Sequence, residues 1–549
     1  MAGSETAHMS TRPGKPKEHI VNGTPTSAVR LDGARALMST LADSGIDTLF
    51  TNPGTSELHL VEAAEATPGL RSVLALFEGT VSGAADGFGR IAGRPAATLL
   101  HLGPGQANGW ANFHNARRAH TPIVSVIGEQ ATFHQRNDPP IFSDIAAVAR
   151  TLNSRVTSPL DAGEASAAAR AAFADACSAP GRISTVVMPA DVSWSPTEVM
   201  APAVPAPLPA RVADQRISEI AELARAGGNR VAMLLGGQAA CDDGLRAASR
   251  IAAAAGIRVF LDVYTTRLEH GAGLPEFPRL GFYPRQALGQ LDGITHLITA
   301  GTRAPVAFFA YLDQPTLLTP DGAANLTLAD VHEDAITALA DLADLVAPTV
   351  KPQVNATLRP ELPAGPLTLE SWPQVVGALL PQDAIICDES ISSGAGLLAA
   401  IAGAPRHDVL SQMGVAMGAG LPLAIGAAIA APERPVIALV GDGCAMYTIS
   451  ALWSHAREDL DITTVILKNS SYGILREEWT LLREPGQGEL HDSPLINLTG
   501  APIDFVGLAG SMGVPGAHAD TAEEFAAHLR LALNEPGPHL IEIVVPAIV

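Results

Sequence analysis

Between Val436 and Tyr472 the chain alternates an apolar run, a turn, a helix-forming segment and a second apolar run. The first run, Val436-Ile437-Ala438-Leu439-Val440, closes on Gly441-Asp442-Gly443. The second, Ile462 to Leu467, closes on Lys468-Asn469-Ser470-Ser471-Tyr472. Short apolar strands joined by a helix imply a parallel β-α-β unit, whose ligands bind beyond the carboxyl ends of the strands. Asp442 and Asn469 each follow a strand end, so they can converge although 27 positions separate them. A carboxylate and an amide oxygen are hard ligands suited to Mg²⁺, which keeps its remaining positions for water or phosphate. The flanking glycines and the helix start after Gly443 offer backbone N–H groups to a phosphate. The stretch therefore reads as a site for a magnesium-bridged diphosphate.

This pattern resembles the thiamine diphosphate signature of the acetolactate synthase and benzoylformate decarboxylase group. The resemblance implies that Asp442, Asn469 and the main-chain carbonyl of Ser471 hold the metal. Where the family usually has two asparagines, this chain has Lys468-Asn469, and the second is the ligand position.

A chain of 549 residues is too long for one core and suggests about three domains. Two proline-rich passages, Pro196 to Pro209 and Pro348 to Pro366, read as linkers. They leave blocks at 30–195, 210–347 and 367–549, after a leader at 1–29 that is expected to be disordered and has no apolar stretch. Each block mixes β-rich runs with alanine-rich helices, an α/β pattern. The resemblance assigns them as pyrimidine-binding, middle and pyrophosphate-binding domains, each a doubly wound parallel sheet. A formal charge of −21 argues against nucleic acid or an anionic membrane as partner. The uncharged stretch Gly414 to Ala431 is glycine-rich and broken by Pro422, so a buried helix is expected there rather than a membrane span. Four cysteines without CxxC spacing indicate neither a zinc site nor a disulfide framework and fit a reducing cytoplasm.

In the first block, an expected strand from Val73 to Phe77 runs into Glu78 and a small-residue helix, Thr80 to Arg90. A carboxyl at such a junction should be poorly solvated, which would let it carry a proton near neutral pH. The string EGTVSGAADGFGR resembles the family's catalytic-glutamate helix, which implies that Glu78 hydrogen-bonds the aminopyrimidine ring and drives its tautomerisation. Asn52-Pro53-Gly54-Thr55 is a strong turn; by resemblance Thr55 takes the place of a serine that approaches the substrate carboxylate. His101 aligns with a histidine that assists proton transfer. The decarboxylase has a second histidine in its middle domain, where this chain offers Ala310.

In the third block, Gln412 to Gly418 resembles the segment that bends the cofactor. The resemblance implies Met417 as the apolar wedge and the carbonyl of Val415 as acceptor for the 4′-amino group. Ser392 is the expected diphosphate ligand after the strand Ala384–Cys387, with Gly441, Gly443 and Cys444 adding to the same cradle. Tyr472, Gly473 and Ile474 open the segment that lines the donor pocket in the family. Ile474 stands where benzoylformate decarboxylase has alanine, and a β-branched side chain there favours a small aliphatic 2-oxo acid. The middle block has no GxGxxG, which argues against FAD and against a nucleotide-dependent oxidoreductase.

The expected protein is a thiamine diphosphate- and Mg²⁺-dependent 2-oxo acid decarboxylase or carboligase. An aldehyde or second 2-oxo acid would serve as acceptor in the latter case. A benzoylformate decarboxylase-like enzyme for a larger 2-oxo acid is the alternative, and a catalytically silent regulatory subunit is the alternative of another class. The family architecture implies a homodimer or homotetramer.

Overall fold

The computed structural model describes residues 31–152, 154–483, 487–488 and 493–547; the expected leader lies outside these. Three sheets order the chain, and their central strands are apolar runs buried on both faces, as parallel sheets require. The edge strands Arg71–Leu74, Arg155–Thr157, Ala324–Ala329 and Gly516–Ala519 are partly exposed.

The first sheet is wholly parallel, with order β2-β1-β3-β4-β6-β5. Its strands are β1 (Thr48–Asn52), β2 (Arg71–Leu74), β3 (Ala96–Leu100), β4 (Ile123–Glu129), β5 (Arg155–Thr157) and β6 (Ile183–Pro189). The second sheet, order β11-β10-β7-β8, joins β7 (Val231–Leu235), β8 (Arg258–Leu261), β10 (His296–Ala300) and β11 (Ala324–Ala329) in parallel. The third comprises β12 (Ile385–Glu389), β13 (His407–Ser411), β14 (Val436–Gly441), β15 (Ile462–Lys468), β16 (Gly516–Ala519) and β17 (His539–Val544). Its order is β16-β17-β15-β14-β12-β13-β9. The edge strand β9 (Leu268–His270) comes from the middle block and pairs antiparallel with β13. Three residues give too short a pattern to be read as a strand in sequence.

The first and third sheets are joined by two helices with unusually close backbones. The helix Glu78–Ala92 packs on the helix Gly420–Ala430, the part of the uncharged stretch that is helical. A methyl group on Gly87 would lie 2.1 Å from the Leu423 carbonyl oxygen, and one on Gly426 would lie 1.9 Å from that of Ala84. Only glycine permits this approach. Beside the contact, Arg90 Nε donates to Asp86 Oδ1 at 2.8 Å and Arg90 Nη1 donates to the Ser411 carbonyl at 2.6 Å, with the ion pair fully buried. The catalytic-helix candidate of the first sheet is thereby locked to β13 of the third. Among the described residues, no helix is long and apolar enough to cross a membrane.

Candidate active site

Strands β14 and β15 are neighbours in register, with Gly441 opposite Leu467, so the segments that follow them emerge side by side. Asp442, Asn469 and Ser471 line one cleft of about 290 Å³, together with Ser390, Ser392, Met417, Gly441, Gly443, Cys444, Tyr472, Gly473 and Ile474. Most of the predicted cofactor residues are thus brought together. Val415 is outside this lining, two residues before Met417 on the same loop. The helix expected after Gly443 is broken: Asp442–Ala445 and Ala451–Arg457 are separate, so the cradle begins with a single helical turn.

The donor set fits a metal-bound diphosphate. Asp442 is buried, and its two carboxylate oxygens accept from the backbone N–H groups of Gly443 at 2.8 Å and Ser470 at 2.7 Å. Ser470 holds a left-handed φ of 52° in the turn that follows β15. Burial pushes the Asp442 carboxyl above the ordinary carboxylate range, against the pull of these amides. The nearby Lys468 ammonium is bonded instead to the Ile503 carbonyl and to Glu542. A desolvated anion with no cationic side chain bonded to it among the described residues is the environment a divalent cation would complete. No group of three or more His, Cys, Asp or Glu side chains that could hold a metal ion by itself occurs among the described residues. A metal here would draw its remaining ligands from Asn469, the Ser471 carbonyl, phosphate and water.

Close packing shapes the same cleft. A methyl group on Gly443 would lie 2.6 Å from the Tyr472 ring, and one on Gly473 would lie 2.9 Å from Ser392 Oγ. The Cys444 thiol donates to the Met417 thioether at 3.4 Å, which links the Met417 side chain to the turn after β14. Burial raises the Cys444 thiol well above its ordinary range, which disfavours the thiolate.

Glu78, His101 and Thr55 all belong to the first sheet's domain, and none of them lines that cleft. A methyl group on Gly105 would lie 3.2 Å from Glu78 Oε1 and 3.5 Å from His101 Cβ, so these two residues share one neighbourhood. β2 ends at Leu74, earlier than expected, and Glu78 itself starts the helix. In the single chain Glu78 is half-buried and accepts from Asn108 Nδ2 at 3.0 Å, in contrast to the poorly solvated junction expected from sequence. The side chain lies at the N-terminus of this helix.

Glu57 is the residue that sequence reasoning missed. It is fully buried, accepts from Gly54 N at 2.9 Å, and faces His101 Nδ1 at 2.7 Å. Burial raises its carboxyl and the His101 contact opposes that rise. A carboxylate on Nδ1 favours the tautomer with the proton on that nitrogen and leaves Nε2 for other partners. Gly54 is required here because a methyl group on it would fall 2.1 Å from His101 Nδ1. The signal was present as a glutamate closing the NPGTSE turn. Its half-buried partner His101, 44 residues away, was not visible.

Thr55 is exposed in a separate recess with Leu58, Phe133 and Trp194. Ala310 is exposed, while the adjacent Tyr311 hydroxyl donates to Glu478 at 2.9 Å and so ties the middle block to the helix that carries Ile474. A larger recess of about 580 Å³ between the first and second sheets contains none of the predicted site residues.

Comparison with known proteins shows the family and the fold. Residues 31–148 match the family described as thiamine pyrophosphate enzyme, N-terminal TPP binding domain, and residues 394–543 match its C-terminal TPP binding domain. A Mycobacterium tuberculosis protein named "Putative acetolactate synthase large subunit IlvX" is 50% identical over 523 residues, covering 94% of this chain and all of that one. Benzoylformate decarboxylase of Pseudomonas aeruginosa is 30% identical, covering 91% of this chain and 96% of its own. The solved structure of the Rhodococcus jostii thiamine diphosphate-dependent 4-hydroxybenzoylformate decarboxylase superposes with a TM-score of 0.83 at 25% identity, covering 94% of this chain and 100% of that one.

Proposed function

This chain belongs to the thiamine pyrophosphate enzyme family, in the acetolactate synthase and benzoylformate decarboxylase group, and from that premise we propose a Mg²⁺-dependent 2-oxo acid decarboxylase or carboligase with a small aliphatic donor. The observation that carries the reading is the cleft in which Asp442, Asn469 and Ser471 meet Ser392 and the glycines. The cofactor supplies the electron sink that lets a 2-oxo acid lose CO₂. Asp442, Asn469 and the Ser471 carbonyl hold the metal, and Ser392, Gly441, Gly443, Cys444 and Gly473 cradle the diphosphate. Met417 and the Val415 carbonyl set the ring geometry, with Tyr472 and Ile474 at the donor end. Glu78 moves the proton that activates the cofactor, and His101, oriented by Glu57, delivers or accepts protons at the substrate. Thr55 offers a hydroxyl to the substrate carboxylate.

Glu78 and His101 lie outside the cleft of their own chain, which supports completion of each site by a second copy, in a homodimer or homotetramer. Four cysteines without disulfides support a cytoplasmic location. FAD has no part in this reading, and a colourless holoenzyme is expected.

A second reading, a decarboxylase for a larger aromatic 2-oxo acid, is favoured by the recess at Thr55, whose walls include Phe133 and Trp194. Product analysis decides between them: pyruvate and aromatic 2-oxo acids are supplied with Mg²⁺ and thiamine diphosphate, with and without an aldehyde acceptor. Turnover of pyruvate to acetolactate or acyloin, or to acetaldehyde, supports the first reading. Turnover confined to aromatic acids supports the second. Absence of CO₂ release with every acid would point to a silent subunit, against the presence of Glu78.

Ile474 gives a finer test. Ile474→Ala removes three side-chain carbons from the donor end and should raise kcat/KM for an aromatic 2-oxo acid, relative to pyruvate, by about tenfold or more. An unchanged ratio would show that Ile474 does not set donor size.

A further inference from the structure

We propose that Asn115 is a positioning residue for the loop that presents Val415 and Met417, so that the first domain presets the cofactor wedge of the third. This rests on the reading above, in which those two residues meet the cofactor.

The helix Leu102–Ala119 runs from the His101 side of the first domain to this loop. Asn115 lies on it, fully buried. Its Oδ1 accepts from Ala416 N at 3.1 Å and its Nδ2 donates to the Ala416 carbonyl at 2.8 Å. One side-chain amide thus pairs with both backbone groups of the residue between Val415 and Met417, as a neighbouring strand would. Asn112, which accepts from Asn115 Nδ2 at 3.0 Å, itself donates to the Gly418 carbonyl at 3.1 Å. His114 Nε2 lies 3.2 Å from the Gly414 carbonyl. The loop presses on this helix so closely that a methyl group on Gly414 would fall 2.6 Å from Asn115 Oδ1.

The opposite side of the loop is gripped as firmly. Glu389, at the end of β12 and fully buried, accepts from the amides of Gly418, Ala419 and Gly420 at 2.7, 3.1 and 2.7 Å. Gln412 Nε2 donates to Glu389 at 3.0 Å and to the Ala416 carbonyl at 2.6 Å.

Such a grip has a purpose in the backbone. Val415 has φ of 57°, a left-handed conformation that a β-branched residue adopts only when its surroundings enforce it. The carbonyl direction of Val415 depends on that conformation, and Met417 follows two residues later. Without Asn115 the Val415 turn relaxes toward an extended form, and the carbonyl and the wedge lose their preset directions. The bonds cross from first to third domain within one chain, whereas Glu78 on the same first domain does not line that chain's cleft.

The test compares wild type, Asn115→Ala, Asn115→Asp, and Asn115→Ala combined with Val415→Gly, each as the full chain. Apoprotein is titrated with thiamine diphosphate at fixed Mg²⁺, thermal midpoints are recorded for each apoprotein, and kcat is measured at saturating cofactor. Asn115→Ala should weaken thiamine diphosphate binding by about tenfold or more, and Asn115→Asp, which keeps the acceptor and loses the donor, by less. Glycine adopts a left-handed φ without strain, so Val415→Gly should restore part of the lost affinity and of kcat. Asn355→Ala, which breaks a bond to the Ala402 carbonyl away from the cleft, should leave affinity unchanged. A merely structural Asn115 would lower the midpoint with no rescue by Val415→Gly, and that result overturns the proposal. So does wild-type affinity in Asn115→Ala. Failure of the wild-type protein to bind thiamine diphosphate would instead overturn the functional reading itself.

Discussion

Replacing Glu78 by glutamine should lower turnover by about a thousandfold or more while the fold and the Mg²⁺ site stay intact. The expected size follows from the proposed work of the carboxyl, activation of the cofactor: a positioned acid or base contributes roughly 10²–10⁴ in rate. Glutamine matches glutamate in volume and still accepts from Asn108 Nδ2 through its carbonyl oxygen. What is lost in the apoprotein is one negative charge at the first position of the helix Glu78–Ala92, a contribution of about 0.3–1 kcal/mol. The variant should therefore melt near wild type and turn over almost nothing. The decisive measurement is single-turnover CO₂ release at saturating cofactor, paired with a thermal midpoint. Turnover within about tenfold of wild type would remove Glu78 from the chemistry. A collapsed midpoint would make the residue structural.

The cleft residues were legible in sequence and the first-domain residues less so, for a physical reason. Asp442, Gly443, Asn469, Ser471 and Ile474 lie on two consecutive strand ends, and parallel pairing of β14 with β15 brings them together through local rules alone. Glu57, Asn115 and Glu389 act through partners 44, 301 and 31 residues away. No periodicity marks such residues, because their burial is decided by which elements the tertiary fold brings close. Glu78 shows the same limit from the other side. Its helix was recognisable from the string of small residues, but its solvation depends on what covers the helix start, and in one chain nothing covers it fully. The small residues of that string are explained by the close crossing with the helix Gly420–Ala430, which sequence alone did not pair with it. Strand β9 was invisible for a related reason: a three-residue edge takes its conformation from β13.

Asp442→Asn carries the second large effect, and it should act in different directions on the empty and loaded protein. In the apoprotein, the carboxylate is a desolvated anion held by two backbone amides. Burial holds its carboxyl above the value it has in the unfolded chain, so the folded state takes up a proton more readily than the unfolded one. This contribution to apoprotein stability is therefore present at low pH and is lost as pH rises through the folded value. Asparagine removes the uncompensated charge and forfeits one of the two accepted bonds, costs and gains of about 1–3 kcal/mol each that largely cancel. The apoprotein midpoint should move little. The loaded protein is another matter, because a divalent cation bound there would lose the one anionic side chain that lines the cleft among the described residues. Wild type should gain about 2.7 kcal/mol at a hundredfold excess of cofactor over its Kd, and Asp442→Asn should gain almost nothing under the same conditions. Protons compete with the metal for the same oxygen atoms, so wild-type Mg²⁺ affinity should also fall as pH is lowered through the raised carboxyl value, and the variant should lose that dependence. Paired melting curves with and without Mg²⁺ and thiamine diphosphate check both statements. A variant that kept the full cofactor-dependent shift would place the metal elsewhere, and with it the diphosphate.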